Sequence, residues 1–107
     1  MYVYVWEFDV AEGRTAEFEE IYGPEGAWVA LFRRASGYRA TRLVRSAEHR
    51  RRYFTVDEWD SKAGYDAFRR QFANEFEALD RRCESLTVSE QLRLSVDGTD
   101  VDRTTST

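Results

Sequence analysis

Three features of this sequence predict an α+β fold built in the order β-α-β-β-α-β. The first is a regular alternation of side chains over Tyr2–Val10, aromatic on one face for most of its length. The second is a set of apolar stripes at helical spacing on either side of a central hairpin. The third is the shortness of the link Ala47-Glu48-His49-Arg50, which joins its two strands antiparallel. A chain of 107 residues makes one such domain.

Taken in order, Tyr2, Tyr4, Trp6, Phe8 and Val10 share one face of the first strand, and Val3, Val5, Glu7 and Asp9 the other. Both faces begin apolar, so both are expected to be covered for much of the strand. Glu12-Gly13 reads as a turn. Two helical pieces follow, at 15–22 and 25–34, bent at Gly23-Pro24. Proline cannot donate to a helix ladder but fits the first turn of a new helix. Tyr38–Ser46 is a second strand, with Tyr38, Ala40, Arg42 and Val44 against Arg39, Thr41, Leu43 and Arg45. Residues 51–59 are a third strand, and at Trp59 the pattern turns helical, with Asp60 or Ser61 as cap. The stripe beyond it, Tyr65, Phe68, Phe72, Phe76, Leu79 and Cys83, has the clearest period in the chain, with a break or kink marked at Asn74. A last strand lies within Leu86–Val96, so the domain spans 1–96; residues 97–107 lack apolar mass and read as a disordered tail.

This order is the ferredoxin-like, split-βαβ arrangement, with a four-stranded antiparallel sheet. Its helices cover one sheet face. The other would carry Val3, Val5, Phe54 and Val56. A bare apolar sheet is an association surface, and the simplest cover is a second copy, giving a homodimer closed into an α+β barrel.

Composition narrows the function. One cysteine, Cys83, excludes an internal disulfide and a cysteine zinc cluster, and one histidine, His49, excludes a His-rich metal site within the chain. No apolar run approaches the roughly 18 residues of a membrane span. The first residues resemble no signal peptide, so the expectation is a cytoplasmic protein without membrane partners. Residues 33–52 carry eight arginines against the single acid Glu48, although the whole chain has a net charge of −4. Such a band attracts anions or is simply a solvated hairpin. The aromatic content of 15% supplies rings for a core or for the walls of an apolar pocket.

Several short stretches in sequence carry a resemblance: Val3-Tyr4-Val5-Trp6-Glu7-Phe8, the Glu12-Gly13 turn, Phe18 and Tyr22, Gly23-Pro24-Glu25-Gly26-Ala27-Trp28, Ser36-Gly37-Tyr38, and Trp59-Asp60-Ser61-Lys62 followed by Tyr65. Together they resemble the antibiotic biosynthesis monooxygenase-like proteins of the dimeric α+β barrel superfamily, over roughly residues 2–96. That family includes cofactor-independent quinone-forming monooxygenases and haem-degrading ones. For the quinone-forming members the resemblance implies a site at Trp59 and Tyr65, with Thr55 where they carry an asparagine, and an arginine for which Arg81 and Arg82 are both candidates. For the haem-degrading members the site positions hold Trp6, Phe68 and, approximately, Ala78, so haem degradation is not expected.

The candidate catalytic residues are therefore Trp59, Tyr65 and Thr55, together with Asp57, which the period of two places on the face of Thr55 and Trp59. Trp6, Tyr22, Trp28, Phe68 and Phe72 are the candidate pocket walls. Each of these rings has a plainer role as core. The function expected is oxidation by O₂ of an aromatic, phenolic small molecule, with no cofactor and no metal; the alternative is a non-catalytic dimeric ligand-binding or structural domain. Arg51-Arg52-Tyr53-Phe54-Thr55-Val56 is faintly like an RNA-binding strand but lacks its glycines, and no nucleic acid partner is expected. A cavity of about 300 Å³ or more beside Trp59 would separate a ligand site from a filled interior.

Overall fold

The computed structural model describes residues 1–98. Its elements run β1 (Tyr2–Val10), α1 (Thr15–Tyr22), α2 (Ala27–Phe32), β2 (Tyr38–Arg45), β3 (Arg52–Trp59), α3 (Lys62–Gln71), α4 (Ala73–Cys83), a 3₁₀ turn (Glu84–Leu86) and β4 (Thr87–Asp97). The sheet order is β2-β3-β1-β4, with all three pairings antiparallel. This is the expected ferredoxin-like α+β arrangement, with the helices layered on one face.

The bend between α1 and α2 depends on glycine. A Cβ on Gly26 would lie 2.2 Å from the Ile21 carbonyl oxygen and 2.4 Å from that of Glu20. Only a bare Cα lets the chain turn there closely enough to lay both short helices on the sheet. Ser61 caps α3, its hydroxyl accepting from the Gly64 N–H at 3.0 Å. The long stripe after Trp59 divides at Phe72 rather than Asn74. Phe72 leaves helical geometry (φ −110°, ψ 29°) while its ring stays buried, so packing of the ring sets the position of the kink. The last strand extends through Asp97, and the Gly98 N–H donates to the Met1 carbonyl; the rest of the expected tail, 99–107, lies outside the described residues.

One strand differs from its expected pattern in a way that matters for the site. Tyr38 pairs with Trp59, Ala40 with Glu58 and Thr41 with Asp57. Arg39 is the extra residue of a bulge. An inserted residue reverses the facing of everything before it, so Tyr38 and Thr41, which simple alternation puts on opposite faces, both lie under the helices.

The core sits between sheet and helices and is mostly aromatic. Trp59 is edge-on to Phe32 and Tyr38 and tilted against Phe68, with ring centroids 5.0–5.6 Å apart. Phe18 stacks on Tyr22 at 4.2 Å. On the opposite sheet face Val3, Val5, Phe54 and Val56 are half-buried, and Val44, Leu94 and Val96 are 39%, 53% and 46% exposed, so an apolar patch does remain uncovered in the single chain. No helix among the described residues is long and apolar enough to cross a membrane.

Candidate functional site

β3 is the central element of the site because it alternates without interruption. Tyr53, Thr55, Asp57 and Trp59 are all buried under the helices, and the other four residues of the strand, Arg52, Phe54, Val56 and Glu58, face the other way. Thr55 and Asp57 are the two buried polar residues of the described chain, each 5% exposed. Both line a cavity of about 460 Å³, larger than the volume that distinguishes a ligand site from a filled interior.

The sheet supplies the floor: Tyr4, Trp6 and Phe8 of β1, Thr41 of β2, and Thr55 and Asp57 of β3. The helices supply the roof: Tyr22, Trp28 and Phe32, then Tyr65, Arg69, Phe76 and Asp80; Glu90 of β4 stands at the far end. Six of the nine residues expected from sequence therefore meet at one cavity: Thr55, Asp57, Tyr65, Trp6, Tyr22 and Trp28. Trp59, Phe68 and Phe72 do not line it. They are 0%, 1% and 7% exposed and pack behind the wall as core. Trp59 reaches the site at second hand, its indole N–H donating to the Tyr4 hydroxyl at 3.3 Å. The Tyr4 ring lies 5.2 Å from Tyr65.

Electrostatically the cavity is uneven. Burial pushes the Asp57 carboxyl up to about 6, opposed only in part by the Thr41 hydroxyl, which donates to Oδ1 at 2.5 Å. Thr41 in turn accepts from the Tyr38 hydroxyl at 2.8 Å. Burial, then the charge of Asp57, holds the Tyr4 phenol well above the usual tyrosine range. Tyr65 accepts from Arg69 Nη1 at 3.0 Å, and the Arg69 guanidinium lies 3.8 Å from the Phe76 ring centroid. At the far end burial, then the charge of Asp80, raises Glu90. The indole N–H of Trp28 is closed off from solvent with no acceptor in hydrogen-bond range.

Thr41, Tyr38, Tyr4 and Arg69 escaped the sequence reading. Alternation already placed Tyr4 on the face of Trp6 and could have found it. Arg69, four residues after Tyr65 on a helix, could have been found from its spacing. The pair on β2 was hidden by the bulge. The arginine at the cavity is Arg69, whereas Arg81 and Arg82 are exposed on α4 and do not line it. His49 is exposed in the β2–β3 link. Of the arginine-rich segment, Arg52 joins an ion-pair cluster on the open sheet face, and Arg45, Arg50 and Arg51 rim a separate surface hollow of about 310 Å³ with Gly13 and Thr15. Among the described residues no group of three or more His, Cys, Asp and Glu side chains could hold a metal ion.

The family model described as antibiotic biosynthesis monooxygenase matches residues 1–80 of the chain. Among solved structures, SnoaB, a cofactor-independent oxygenase from Streptomyces nogalater, is similar at 20% identity, with 94% of each chain covered and a TM-score of 0.69. PA3566 from Pseudomonas aeruginosa is similar at 14% identity, covering 92% of this chain and 94% of that one, with a TM-score of 0.66. A point mutant of MhuD, solved with two manganese protoporphyrin IX bound per active site, is similar at 21% identity over 95% and 99% of the two chains, with a TM-score of 0.69. At such identities these structures establish the shared fold. No curated protein matches the chain.

Proposed function

The chain belongs to the antibiotic biosynthesis monooxygenase family, and on that premise we propose that it is a cofactor-independent monooxygenase acting on a flat, phenolic aromatic molecule. The observation that carries this reading is a buried carboxyl, Asp57, at the floor of an aromatic cavity of about 460 Å³. The likeness to SnoaB supports the reaction class.

The chemistry asks little of the protein beyond placement and proton handling. Asp57 takes a proton from an activated CH₂ flanked by aromatic rings. The resulting carbanion, delocalised onto the phenolic oxygens, passes one electron to O₂, and the two radicals join in a C–O bond. The peroxide anion recovers the proton from Asp57. Loss of the second C–H proton with cleavage of the O–O bond leaves a ketone and one water, so CH₂ and O₂ become C=O and H₂O. In this reading Thr55 and Tyr65, whose side chains line the cavity, hydrogen-bond the developing oxyanion, and Arg69, which donates to the Tyr65 hydroxyl, polarises it. Trp59 acts through Tyr4 rather than on the substrate. Ring faces line much of the cavity, so a bound flat substrate displaces water from around the carbanion.

Oxygen uptake with 1,8-dihydroxy-9-anthrone tests the reading. The wild type should exceed spontaneous oxidation, and Asp57→Asn should lose at least about 100-fold of that rate. Wild-type uptake no faster than the spontaneous reaction, with the anthrone still bound, would instead establish a ligand-binding domain.

The same reading includes a homodimer. The patch of Val3, Val5, Phe54, Val56, Val44, Leu94 and Val96 is too apolar to stand in water, and a second copy supplies the matching surface. Light scattering at micromolar concentration should give twice the chain mass of 12.6 kDa; a monomer removes this part of the proposal.

A further inference from the structure

We infer that Thr41 and Tyr38 are positioning residues for Asp57: a two-hydroxyl brace that occupies Oδ1 and leaves Oδ2 as the oxygen that exchanges a proton with the ligand. The inference rests on the reading of Asp57 as the site's base, and it adds two residues on a different strand.

The hydroxyls form a single chain. Tyr38 donates to Thr41 at 2.8 Å and Thr41 donates to Asp57 Oδ1. Oδ2 has no donor among the described residues, and it is not among the atoms closed off from solvent, so it opens to the cavity. The brace is a consequence of the β2 bulge. With regular alternation, residues three apart on a strand face opposite ways. The extra residue Arg39 brings Tyr38 and Thr41 to one face, in register with Trp59 and Asp57.

A hydroxyl has one proton to give, and a second donor behind it makes that donation stronger and more directional. Thr41 gives its proton to Asp57 and receives one from Tyr38. It can keep donating to Oδ1 whether Oδ2 is ionised or protonated, so no proton has to leave through the brace. Other groups also face Asp57. Tyr4 approaches from β1, and Tyr65 and Arg69 line the same cavity from α3. Of all these, Thr41 is the one that hydrogen-bonds the carboxyl. Removing it withdraws the bond that favours the ionised form, against a burial that opposes it.

The test is a carbon-13 NMR titration of the Asp57 carboxyl, run alongside the pH profile of oxygen uptake with 1,8-dihydroxy-9-anthrone. In Thr41→Val the half-titration pH should rise by about one pH unit. Thr41→Ser should restore the wild-type value. Tyr38→Phe, which keeps the ring packed on Trp59 and Phe32, should raise it by a smaller amount. The acid limb of the uptake profile should move with each. Equal titration of Asp57 in wild type, Thr41→Val and Tyr38→Phe overturns the brace, even with oxygenase activity intact. Failure of the wild type to oxidise the anthrone removes the monooxygenase reading, and the NMR titrations still decide the brace. Near-UV circular dichroism checks that Thr41→Val retains the native fold, and the serine variant separates a lost hydroxyl from lost packing.

Discussion

The two faces of this sheet handle acidic residues in opposite ways. On the helix-covered face Asp57 is buried with a single hydroxyl, that of Thr41, donating to it, and its affinity for a proton rises. On the open face Asp9 accepts from Arg52 Nε at 2.9 Å and from Ser89 Oγ at 3.0 Å, and these bonds hold its carboxyl below the usual carboxylate range. Glu7 beside it meets both Arg52 and Arg93, at 3.8 and 3.1 Å. The same residue class on adjacent strands is thus made proton-hungry on one side and firmly ionised on the other. Desolvation without a counter-charge tunes a group for chemistry, whereas a counter-charge in partial contact with water makes it a structural anchor.

The strongest way to break this contrast is to empty the covered face. Trp59→Ala removes a fully buried ring touching Phe32, Tyr38, Tyr65 and Phe68, and should cost about 4 kcal/mol in urea denaturation. A cost below about 1 kcal/mol would mean the ring is not core.

The next effect is a pH dependence. In the unfolded chain Asp57 titrates near its ordinary value of 3.8, and in the fold near 6. Between those values the folded protein binds more protons than the unfolded one. Stability from this group is therefore fully present below about pH 4 and falls as pH rises through 6, by on the order of 3 kcal/mol. Asp57→Asn should flatten that part of the stability–pH curve, measured by denaturant midpoints from about pH 4 to 8. Parallel curves for wild type and variant would show that Asp57 is not desolvated.

The smallest effect belongs to the open face. Arg52→Ala removes the hub of the Arg52–Asp9–Glu7 cluster. The Arg52 and Asp9 side chains are each 32% exposed, so water and salt screen the pair. The variant should lower the urea midpoint only slightly in low salt, and the difference should fade in high salt. Asp9 contributes in the reverse sense to Asp57: its stabilisation is present above its ordinary value near 3.8 and is lost as pH falls through its lowered one. A much larger cost for Arg52→Ala at high protein concentration than at low would show that a second copy covers this face.

Much of this was legible in the chain. Alternation in β1 and β3 placed Trp6, Thr55 and Asp57 on one face, since period two survives wherever a strand is unbroken. The junction at Trp59 located the start of α3, and Ser61 caps it. The cavity wall was less legible. A stripe of rings at helical spacing does not say which rings meet packed neighbours and which meet space: Phe68 and Phe72 became core while Phe76 became wall. Nor does a sequence display a bulge. Tyr38 and Thr41 could be joined to Asp57 only after the register with β3 was known.

That bulge has a consequence for how such a site changes over generations. β2 is an outer strand, paired on one side with β3 alone, so a single inserted or deleted codon near Arg39 can be absorbed there without breaking the ladder beyond it. Losing that one residue would turn Tyr38 out from under the helices while leaving Thr41 in place. The backing of the acid is therefore heritable as a length, not as an amino acid, and relatives that carry the same residues with one fewer position in this strand would hold a differently tuned carboxyl.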